Sequence, residues 1–421
     1  MVDIYVLDTS FEVIGIIDTY ESLIWTDRFS SYGDFEIYTA FDPVLLNLCQ
    51  QENYISIRES KHLMIIEGLE IETSADDGNK IRITGRSLES ILDRRIIWAQ
   101  TVIGGTNETK TLPQAIEFLL NDCIIDPTKP TAQKDQRKIS NFRFEPCTDP
   151  YINSLTIEKT QYTGDNLYEV IIDLLEDQNN TVGFKILLDE TTSPPTFVFS
   201  LYTGTDRSYD QKAYYETYDA TYQQGKTYYT YDEQTQSYVE FTGSSFAPNT
   251  TYYEYRGILP YVVFSPQFDN IINTDYLDSI DKMKNVTLVA GEDRGTSRVN
   301  VIVGTGEGLT RRELFTDARD LKSSDYGGKY KEALQTRGRN KLVENSRTTS
   351  YEGQVEATRQ YVFGVNFFMG DIIQMSNEYG IDGNARVIEW VISESSEGHE
   401  VYPTFDAVQL IDDTIEDDDS E

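Results

Sequence analysis

The sequence predicts a β-rich α+β protein made of several domains. Its 421 residues are enough for roughly three domains of ~150 residues. Alternating apolar and polar stretches, separated by turn formers, cover residues 1–98 and much of 258–410 and are typical of strands. Residues 110–205 instead carry two apolar stripes with helical spacing, followed by two strand patterns. These observations indicate two β regions with an α+β domain between them.

The first β region is predicted for residues 1–100. It opens with DIYVLD and FEVIGIID, two alternating runs joined by the short link TS, which is a hairpin pattern. About six short strands with regular turn signals predict a small barrel or a sandwich. The segment RSLESILDRRII should close the region as a short helix capped by Ser87, because Leu88, Ile91 and Leu92 share one helical face.

An α+β domain is predicted for residues 101–209. TLPQAIEFLLNDCII should form a helix with Thr111 as its cap and Pro113 in its first turn. TGDNLYEVIIDLLEDQN repeats this arrangement with Asp165 as the expected cap. The strands GFKILLDE and TFVFSLYTG follow, so we expect two helices packed on a small sheet.

A tyrosine-rich β insertion is predicted for residues 210–257. Thirteen of the 29 tyrosines lie between residues 202 and 255, and KTYYTYD, SYVEFTG and TTYYEYR look like three strands joined by turn residues. The rings could form a miniature core and cross-strand ladders, because so small a piece lacks aliphatic layers. Alternatively, exposed rings could form a stacking surface for sugars or a protein partner. The candidate ligand surface comprises Tyr228, Tyr229, Tyr231, Tyr252, Tyr253 and Tyr255.

The rest of the chain returns to strands around one helical piece. Residues 258–306 together with 348–410 are predicted to form the second β region. Residues 307–347 should be a small helical or α+β insertion, in which Gly338 weakens the middle of a helix over YKEALQTRGRNKLVENS. Residues 411–421 hold seven acids and no base, so they are predicted to be a disordered acidic tail.

Composition argues against several classes of function. The formal charge of −35 would repel nucleic acid and anionic lipid, and no apolar run is long enough to span a membrane. Nucleotide-binding and hydrolase motifs are absent, and three cysteines without CxxC spacing are expected to be buried or idle thiols. His62 and His399 look like strand-edge or loop positions without a nucleophile or second ligand nearby in sequence. We therefore predict no catalytic residues, no metal, no cofactor and no enzyme activity.

Six stretches, in order along the chain, carry a family resemblance. They are ESLIWTDRFSSYGDFEIY, GRSLESILDRRIIW, VVFSPQFDNI, KNVTLVAGE, RRELFTDARDL and FGVNFFMGDIIQMSNEYGIDGNARV. These stretches resemble the baseplate-hub-like tail proteins of long-tailed bacteriophages and prophages of Gram-positive bacteria. The matches cover residues 20–100 and 258–410, whereas the insertion at 210–256 departs from the common pattern. Gly33–Asp34 and Gly370–Asp371 are interpreted as turn residues that fix strand entries.

The resemblance implies an architecture and a set of partners. It implies two small β-barrel domains per chain, and a homotrimer whose six barrels match a six-fold tail tube to a three-fold tip. It also implies a virion protein, assembled in the host cytoplasm. Its partners would be the distal tail or tail tube protein, the tape measure protein, and tip or receptor-binding proteins. The internal repeat is not visible as residue identity in the sequence.

The sequence and the resemblance are compatible with three functions. The first is a structural hub that joins tail tube to tip around an axial DNA channel. The alternative is a receptor-binding protein that recognises host cell-wall carbohydrate through the tyrosine-rich insertion. A cell-wall hydrolase is the least favoured, because no lytic domain is recognised in the sequence. Arg28, Arg86, Arg94 and Arg95 are expected to form surface or intramolecular ion pairs rather than partner contacts.

Overall fold

The computed structural model describes residues 2–74, 78–105, 108–212, 214–232, 235, 237–292, 298–355, 360–396 and 398–408, without the side chains of residues 273, 349–354 and 407. It confirms the β-rich α+β class predicted from the sequence.

The strands of the first half are β1 Ile4–Leu7, β2 Val13–Ile17, β3 Ser22–Arg28, β4 Asp34–Ala40, β5 Tyr54–Ile57, β6 Met64–Ser74, β7 Gly78–Ser87, β8 Thr101–Ile103, β9 Phe142–Phe144, β10 Thr160–Tyr162, β11 Gly183–Asp189 and β12 Thr196–Tyr202. Those of the second half are β13 Tyr214–Thr217, β14 Tyr228–Asp232, β15 Ser237–Phe241, β16 Tyr253–Gly257, β17 Val263–Phe264, β18 Ile271–Ser279, β19 Val286–Ala290, β20 Asn300–Val303, β21 Glu313–Asp317, β22 Thr348–Val355, β23 Ile372–Ser376, β24 Asp382–Ser395 and β25 Gly398–Ala407.

The α-helices are α1 Pro43–Leu48, α2 Leu112–Leu120, α3 Lys134–Arg137, α4 Pro150–Ser154, α5 Leu167–Glu176, α6 Ser323–Tyr326 and α7 Tyr330–Glu344. Short 3-10 helices cover Leu88–Arg94, Pro266–Phe268, Gly308–Thr310 and Gly327–Lys329, and a π-helical turn extends α2 over Asn121–Ile125.

One eleven-stranded sheet joins the two β regions. Its order is β17-β23-β24-β3-β4-β7-β6-β5-β1-β2, and β25 pairs with the other side of β24. The joint is antiparallel: Glu389–Ser395 of β24 pair with Ser22–Arg28 of β3. Trp390 packs against the hydrophobic cores of both β regions, and Ile392 is fully buried in the core of the first. The two β regions therefore share a continuous hydrogen-bonded sheet.

The last three strands of the second β region, β23, β24 and β25, repeat the pairing of β5, β6 and β7 in the first. In the first, Tyr54 of β5 pairs with Ile65 of β6, and β6 continues along β7 with a bulge between Ile66 and Gly68. In the second, β23 and β24 pair in the same way, through Ile372 and Arg386, and β24 continues along β25 with a bulge at the matching position. The register makes Ile66 equivalent to Val387 and Ile71 equivalent to Ile392.

The same repeat appears in the turn that precedes β5 and β23. Glu52 and Gly370 occupy equivalent positions, and both have a positive φ, 71° and 87°. The amide of Glu52 donates to Ile66 O (2.9 Å), and the amide of Gly370 donates to Val387 O (2.8 Å). Backbone geometry thus preserves a repeat that side-chain identity does not show, which is why the sequence alone could not reveal it.

The α+β domain packs α2 and α5 on the sheet β11-β12-β9, around a large apolar core. Thr111 is the N-cap of α2, as predicted. The predicted cap of α5 was wrong by one residue. Asn166, not Asp165, is the N-cap, and its Oδ1 accepts from the amides of Tyr168 (2.8 Å) and Glu169 (3.3 Å). Asp165 instead accepts from the amide of Thr163, which shapes the preceding turn.

The closing segment of the first β region also differs in detail. Leu88–Arg94 form a 3-10 helix, and Ser87 makes no side-chain cap bond to it. The Ser87 hydroxyl instead accepts from the amide of Gly33 (2.7 Å). A Cβ on Gly33 would lie 2.2 Å from Thr26 O. Gly33 is therefore required for close approach of the backbone, rather than for a positive φ.

A separate small unit contains the sheet β20-β19-β21, with α7 packed against it. β19 pairs with β20 on one side and with β21 on the other, so this sheet crosses the predicted boundary between residues 306 and 307. A Cβ on Gly338 would lie 2.7 Å from methyl groups of Val289 and Val303. Gly338 thus allows α7 to approach the sheet closely. The domain boundaries themselves stay a prediction.

Candidate functional site

The tyrosine-rich insertion forms a small antiparallel sheet of order β13-β16-β14-β15, one strand more than the sequence suggested. Because side chains alternate along a strand, adjacent tyrosines point to opposite faces. On one face, Phe246 stacks on Tyr252 with centroids 3.9 Å apart and contacts Tyr228 edge-on at 4.8 Å. Phe241 lies opposite Tyr228 in the strand register and contacts Tyr252 at 4.8 Å. This face is a compact aromatic core.

The other face carries a ladder of tyrosine rings. Tyr215 stacks on Tyr238 at 4.0 Å, and both rings make further edge-on contacts within the sheet. Burial, followed by the nearby Tyr253 and Asp149, raises the pKa of Tyr238 to about 12. The Tyr238 phenol is therefore neutral at physiological pH and adds no negative charge to an acidic chain.

The six candidate tyrosines divide by burial. Tyr228, Tyr252 and Tyr253 are buried, and their rings belong to the miniature core and ladder. Tyr229 and Tyr231 are half-buried, while Tyr255 is 53% exposed. The ring area that the insertion offers to a ligand comes from the exposed and half-buried members alone.

The insertion enters and leaves the fold at one point. The side-chain oxygen of Gln211 accepts from the amide of Leu259 (2.7 Å), and its Nε2 donates to Leu259 O (3.0 Å). Just outside this pair, the amide of Val262 donates to Arg207 O (3.1 Å). We call the Gln211–Leu259 pair the neck, because it closes the base of the insertion. The described residues between 212 and 258 therefore form an appended unit.

A groove of about 1570 Å³ lies beside this neck, between the insertion, the end of α7 and the second β region. Its lining includes the rings of Tyr209, Tyr215, Tyr238 and Tyr276. Tyr209 is 51% exposed and meets Tyr261 edge-on at 5.1 Å. Aromatic faces in a groove of this size suit a ligand that stacks as well as hydrogen-bonds.

Arg386 supplies a cation to the groove. Its Nη1 donates to Gly370 O (2.9 Å), and its guanidinium lies over the Phe29 ring at 5.4 Å. Burial lowers the pKa of Arg386, and nearby acids only partly oppose this effect. Sequence reasoning did not identify these groove residues, because they come from distant segments with no local motif in common.

A buried polar cluster links the first β region to the α+β domain. His62 Nδ1 lies 3.4 Å from Glu89 Oε1, which also accepts from the amide of Ile186 (2.7 Å). Asp27 accepts from the Ser60 hydroxyl (2.7 Å) and from Trp25 Nε1 (2.9 Å). The sequence predicted a strand-edge or loop position for His62 without a second ligand nearby, and nothing local in the sequence pointed to two buried carboxylates.

The electrostatics of this cluster favour an ion pair. Burial alone would lower the pKa of His62, but the charges of Glu89 and Asp27 outweigh it and raise the pKa to about 9. Burial alone would raise the pKa of Glu89, but His62 and the Ile186 amide lower it below its usual value. Glu89 is 1% exposed and His62 is 17% exposed, and Glu89 also bonds Ile186 of the α+β domain, so the pair lies at the contact between the two parts of the fold.

The described residues contain no group of three or more His, Cys, Asp and Glu side chains placed to hold a metal ion.

Three of the four arginines named in the sequence analysis form intramolecular ion pairs: Arg28 with Glu389 (2.7 Å), Arg86 with Glu67 (2.6 Å) and Arg94 with Glu52 (2.7 Å). Arg95 instead donates to the carbonyl oxygens of Arg137 and Arg94. No helix in the described part of the chain is both long and apolar enough to cross a membrane.

A family model matches most of the chain, and solved structures of tail proteins are similar to it. The family model described as Siphovirus ReqiPepy6 Gp37-like protein matches residues 3–405. The chain is similar in structure to the tail protein from Neisseria meningitidis MC58, with a TM-score of 0.53, 12% identity and coverage of 96% of both chains. It is also similar to the 43 kDa tail protein of prophage MuSo2 from Shewanella oneidensis, with a TM-score of 0.51, 11% identity and coverage of 97% of this chain and 98% of that one.

A third similar structure is the prophage tail protein gp18 from Listeria monocytogenes EGD-e, with a TM-score of 0.50, 12% identity and coverage of 97% of this chain and 95% of that one. At these identities the likeness shows a shared fold. No curated protein matches the chain.

Proposed function

The chain belongs to the Siphovirus ReqiPepy6 Gp37-like protein family, and from this premise we propose that three copies form a hub that joins the tail tube of a phage to its tip. It is a bacteriophage tail protein with a baseplate-hub-like fold. The hub would sit in the virion, between a distal tail or tail tube protein on one side and tip or receptor-binding proteins on the other. The tape measure protein would be a further neighbour.

The internal repeat is the observation that carries this proposal. The last three strands of the two β regions share their pairing, bulge position and preceding turn geometry, and the regions are joined side by side in one sheet. A ring of three such chains presents six similar units, and similar units with compatible edges can close a ring. Such a ring can meet a six-fold tube on one side and a three-fold tip on the other.

The experiment that tests the hub is a mass measurement combined with an electron image. We expect the purified protein to have three times the mass of the 48.2 kDa chain, and density for it to form a ring at the tip of the tail tube. A monomer at all accessible concentrations, or density elsewhere in the particle, would overturn the proposal.

We further propose that acidic side chains line the axial channel of this ring. Three copies carry a formal charge of −105, three times −35. Phosphate binding needs cationic partners, so an acidic wall lets DNA pass without adhesion. The electrostatic potential of the bore, calculated on an experimental trimer, tests this proposal, and a neutral or basic bore would contradict it.

A second candidate function is recognition of host cell-wall carbohydrate, favoured by the groove beside the insertion. The aromatic rings and Arg386 in that groove can stack on and donate to a polar ligand. Because Gln211 and Leu259 close the neck, residues 213–257 can be replaced by a short glycine linker without changing the strands around it. Loss of adsorption to host cells, with normal tails, is the expected result if the insertion binds the receptor.

Point variants separate the groove from the insertion as a whole. Tyr209→Ala removes an exposed ring of the groove, and Tyr379→Ala removes an 81% exposed ring outside it. Receptor recognition through the groove predicts reduced adsorption for Tyr209→Ala alone. Equal adsorption by both variants and by the deletion would leave the hub as the function proposed for the chain.

A further inference from the structure

Two equivalent strand edges in the repeat are occupied differently. The C-terminal half of β24, Glu389–Ser395, pairs with β25 on one side and with β3 on the other. Its equivalent in the first β region is Gly68–Ser74 of β6, which pairs with β7 on one side. On its other side β6 pairs with β5 through Met64 and Ile65, and no described strand pairs with Gly68–Ser74 there.

The open edge shows in the exposure of equivalent residues. Ile392 of β24 is fully buried, because β3 covers that edge and carries the side chain into the first core. Ile71, its equivalent in β6, is 46% exposed. An exposed strand edge with an apolar side chain is a template for pairing with another strand.

The repeat also identifies the strand that fits this edge. β3 pairs with β4, which pairs with β7. In the second β region, β18 pairs with β22, which lies against β25. β18 is thus the counterpart of β3. Its pairing with β22 leaves its other edge without a described partner, and Leu277 on it is 51% exposed.

We propose that β18 of one copy pairs with Gly68–Ser74 of the next copy, and so repeats between chains the joint that β3 and β24 form within a chain. This inference rests on the proposed trimer and names the surfaces that hold it. The contact is head-to-tail, since β6 and β18 are different surfaces of the same chain, and repetition of one such contact closes a ring. In that ring every β unit would meet its two neighbours through the same kind of strand pair.

A charge placed at the edge tests the contact. Ile71→Glu puts a carboxylate where the equivalent Ile392 is fully buried, and we expect it to weaken association by at least ~100-fold. Ile24→Glu is the matched control, because Ile24 lies in β3 and is 44% exposed, and its strand already has both partners within the chain. Sedimentation equilibrium should give a monomer for the first variant and a trimer for the second, with circular dichroism spectra like that of the natural chain.

Disulfide trapping gives an independent readout that needs no loss of structure. Thr73 is equivalent to Glu394, which lies opposite Leu23 in the joint within the chain. Thr73→Cys, combined in turn with Thr274→Cys, Tyr276→Cys or Asp278→Cys, should give a covalent trimer in at least one combination under mild oxidation. Val13→Cys on the edge strand β2, 58% exposed, replaces Thr73→Cys in the control set and should give none.

The outcomes separate this inference from the hub itself. A natural chain that is monomeric at all concentrations overturns the trimer and the contact with it. A trimeric natural chain whose mass is unchanged by Ile71→Glu, and which gives no cross-link from Thr73→Cys, overturns the contact and leaves the trimer standing. Dissociation by Ile71→Glu together with cross-linking supports the contact.

Discussion

At the scale of single residues, the His62–Glu89 pair makes stability depend on pH. Burial opposes the charge on His62, but Glu89 and Asp27 raise its folded pKa to about 9, above the ordinary value of 6.5. A group with a raised folded pKa stabilises fully below its unfolded pKa, and its contribution is lost as the pH rises through the folded value. The contribution of His62 is therefore present below about pH 6.5 and disappears by about pH 9.

We predict that the midpoint of thermal unfolding falls by several degrees between about pH 6 and about pH 9, for a loss on the order of 1–3 kcal/mol. Glu89→Gln keeps the acceptor for the Ile186 amide but removes the charge that sustains His62, so its midpoint should change less over this interval. His399→Gln, at an exposed position near the start of β25, is the control and should behave like the natural chain. If the midpoint fell equally with pH in Glu89→Gln and in the natural chain, the prediction would be contradicted.

A second residue-scale prediction concerns Gly370, in the turn before β23. Its φ is 87°, and a Cβ there would lie 2.3 Å from the Phe29 ring. Gly370→Ala should therefore cost about 2–4 kcal/mol in stability, from backbone strain and overpacking together. Gly380→Ala is the matched control, since its φ is 73° but nothing lies within 4 Å of its Cβ, and it should cost about 1–2 kcal/mol. Thermal or urea unfolding of the two variants measures the difference. Equal losses in the free energy of unfolding would show that the Phe29 ring moves aside to accept the new Cβ.

The neighbouring Asp371 shows what a sequence can predict about a turn. The sequence indicated a turn residue at the entry of a strand, and Asp371 lies before β23 and accepts from the amides of Thr205 (2.7 Å) and Phe368 (3.0 Å). Asp34, in the similar Gly-Asp pair, instead pairs with Arg28 at 3.3 Å. Turn chemistry is local and visible in sequence, whereas the choice between an amide and a distant arginine depends on the tertiary fold.

At the scale of elements, the tyrosine sheet should depend on its buried rings and tolerate loss of its exposed ones. Tyr228 is 1% exposed and contacts Phe246, while Tyr255 is 53% exposed at the end of the ladder. Tyr228→Ala should unfold the insertion, because a cavity of this size costs about 3–5 kcal/mol in a unit with one small core. Tyr255→Ala should cost less than about 1 kcal/mol.

Limited proteolysis with mass analysis measures this prediction. Cleavage of Tyr228→Ala should fall within residues 212–258, while the rest of the chain stays intact, because the Gln211–Leu259 pair closes the neck outside the insertion. If Tyr228→Ala resisted proteolysis as well as Tyr255→Ala does, the aromatic core would not be what stabilises the insertion.

Elements with strong periodicity were predictable, and their partners were not. The stripes of α2 and α5 predicted both helices, because the spacing of apolar residues is a local property. The pairing of β3 with β24 joins residues more than 360 positions apart, and no local pattern specifies it. For the same reason, the sequence divided the β19–β21 sheet between two predicted domains, and it could not assemble the groove lined by Tyr209, Tyr276 and Arg386.

At the scale of the whole molecule, a few charged contacts join units that have separate cores. Arg337 of α7 reaches Glu158 of the α+β domain at 2.7 Å, and Lys159 reaches Asp325 at 2.5 Å. Arg207 and Asp371 make a similar contact at 2.7 Å between the chain just outside the neck and the second β region. Acids outnumber bases 71 to 36 in this chain, and these positions show that some of the bases secure joints between units. The excess of acids gives the chain a net negative charge, which is repulsive.

That repulsion leads to a prediction for the proposed trimer. Each copy carries a formal charge of −35, so association brings like charges together, and salt should strengthen it by screening them. Raising sodium chloride from about 0.01 M to about 0.15 M shortens the screening length from about 30 Å to about 8 Å, and the association constant should rise at least several-fold. Sedimentation equilibrium over this range measures the effect. A chain ending at residue 410 lacks seven acids per copy and should show a smaller salt dependence. An association constant that falls with salt would mean that complementary charges across the contact outweigh the net charge of the subunits.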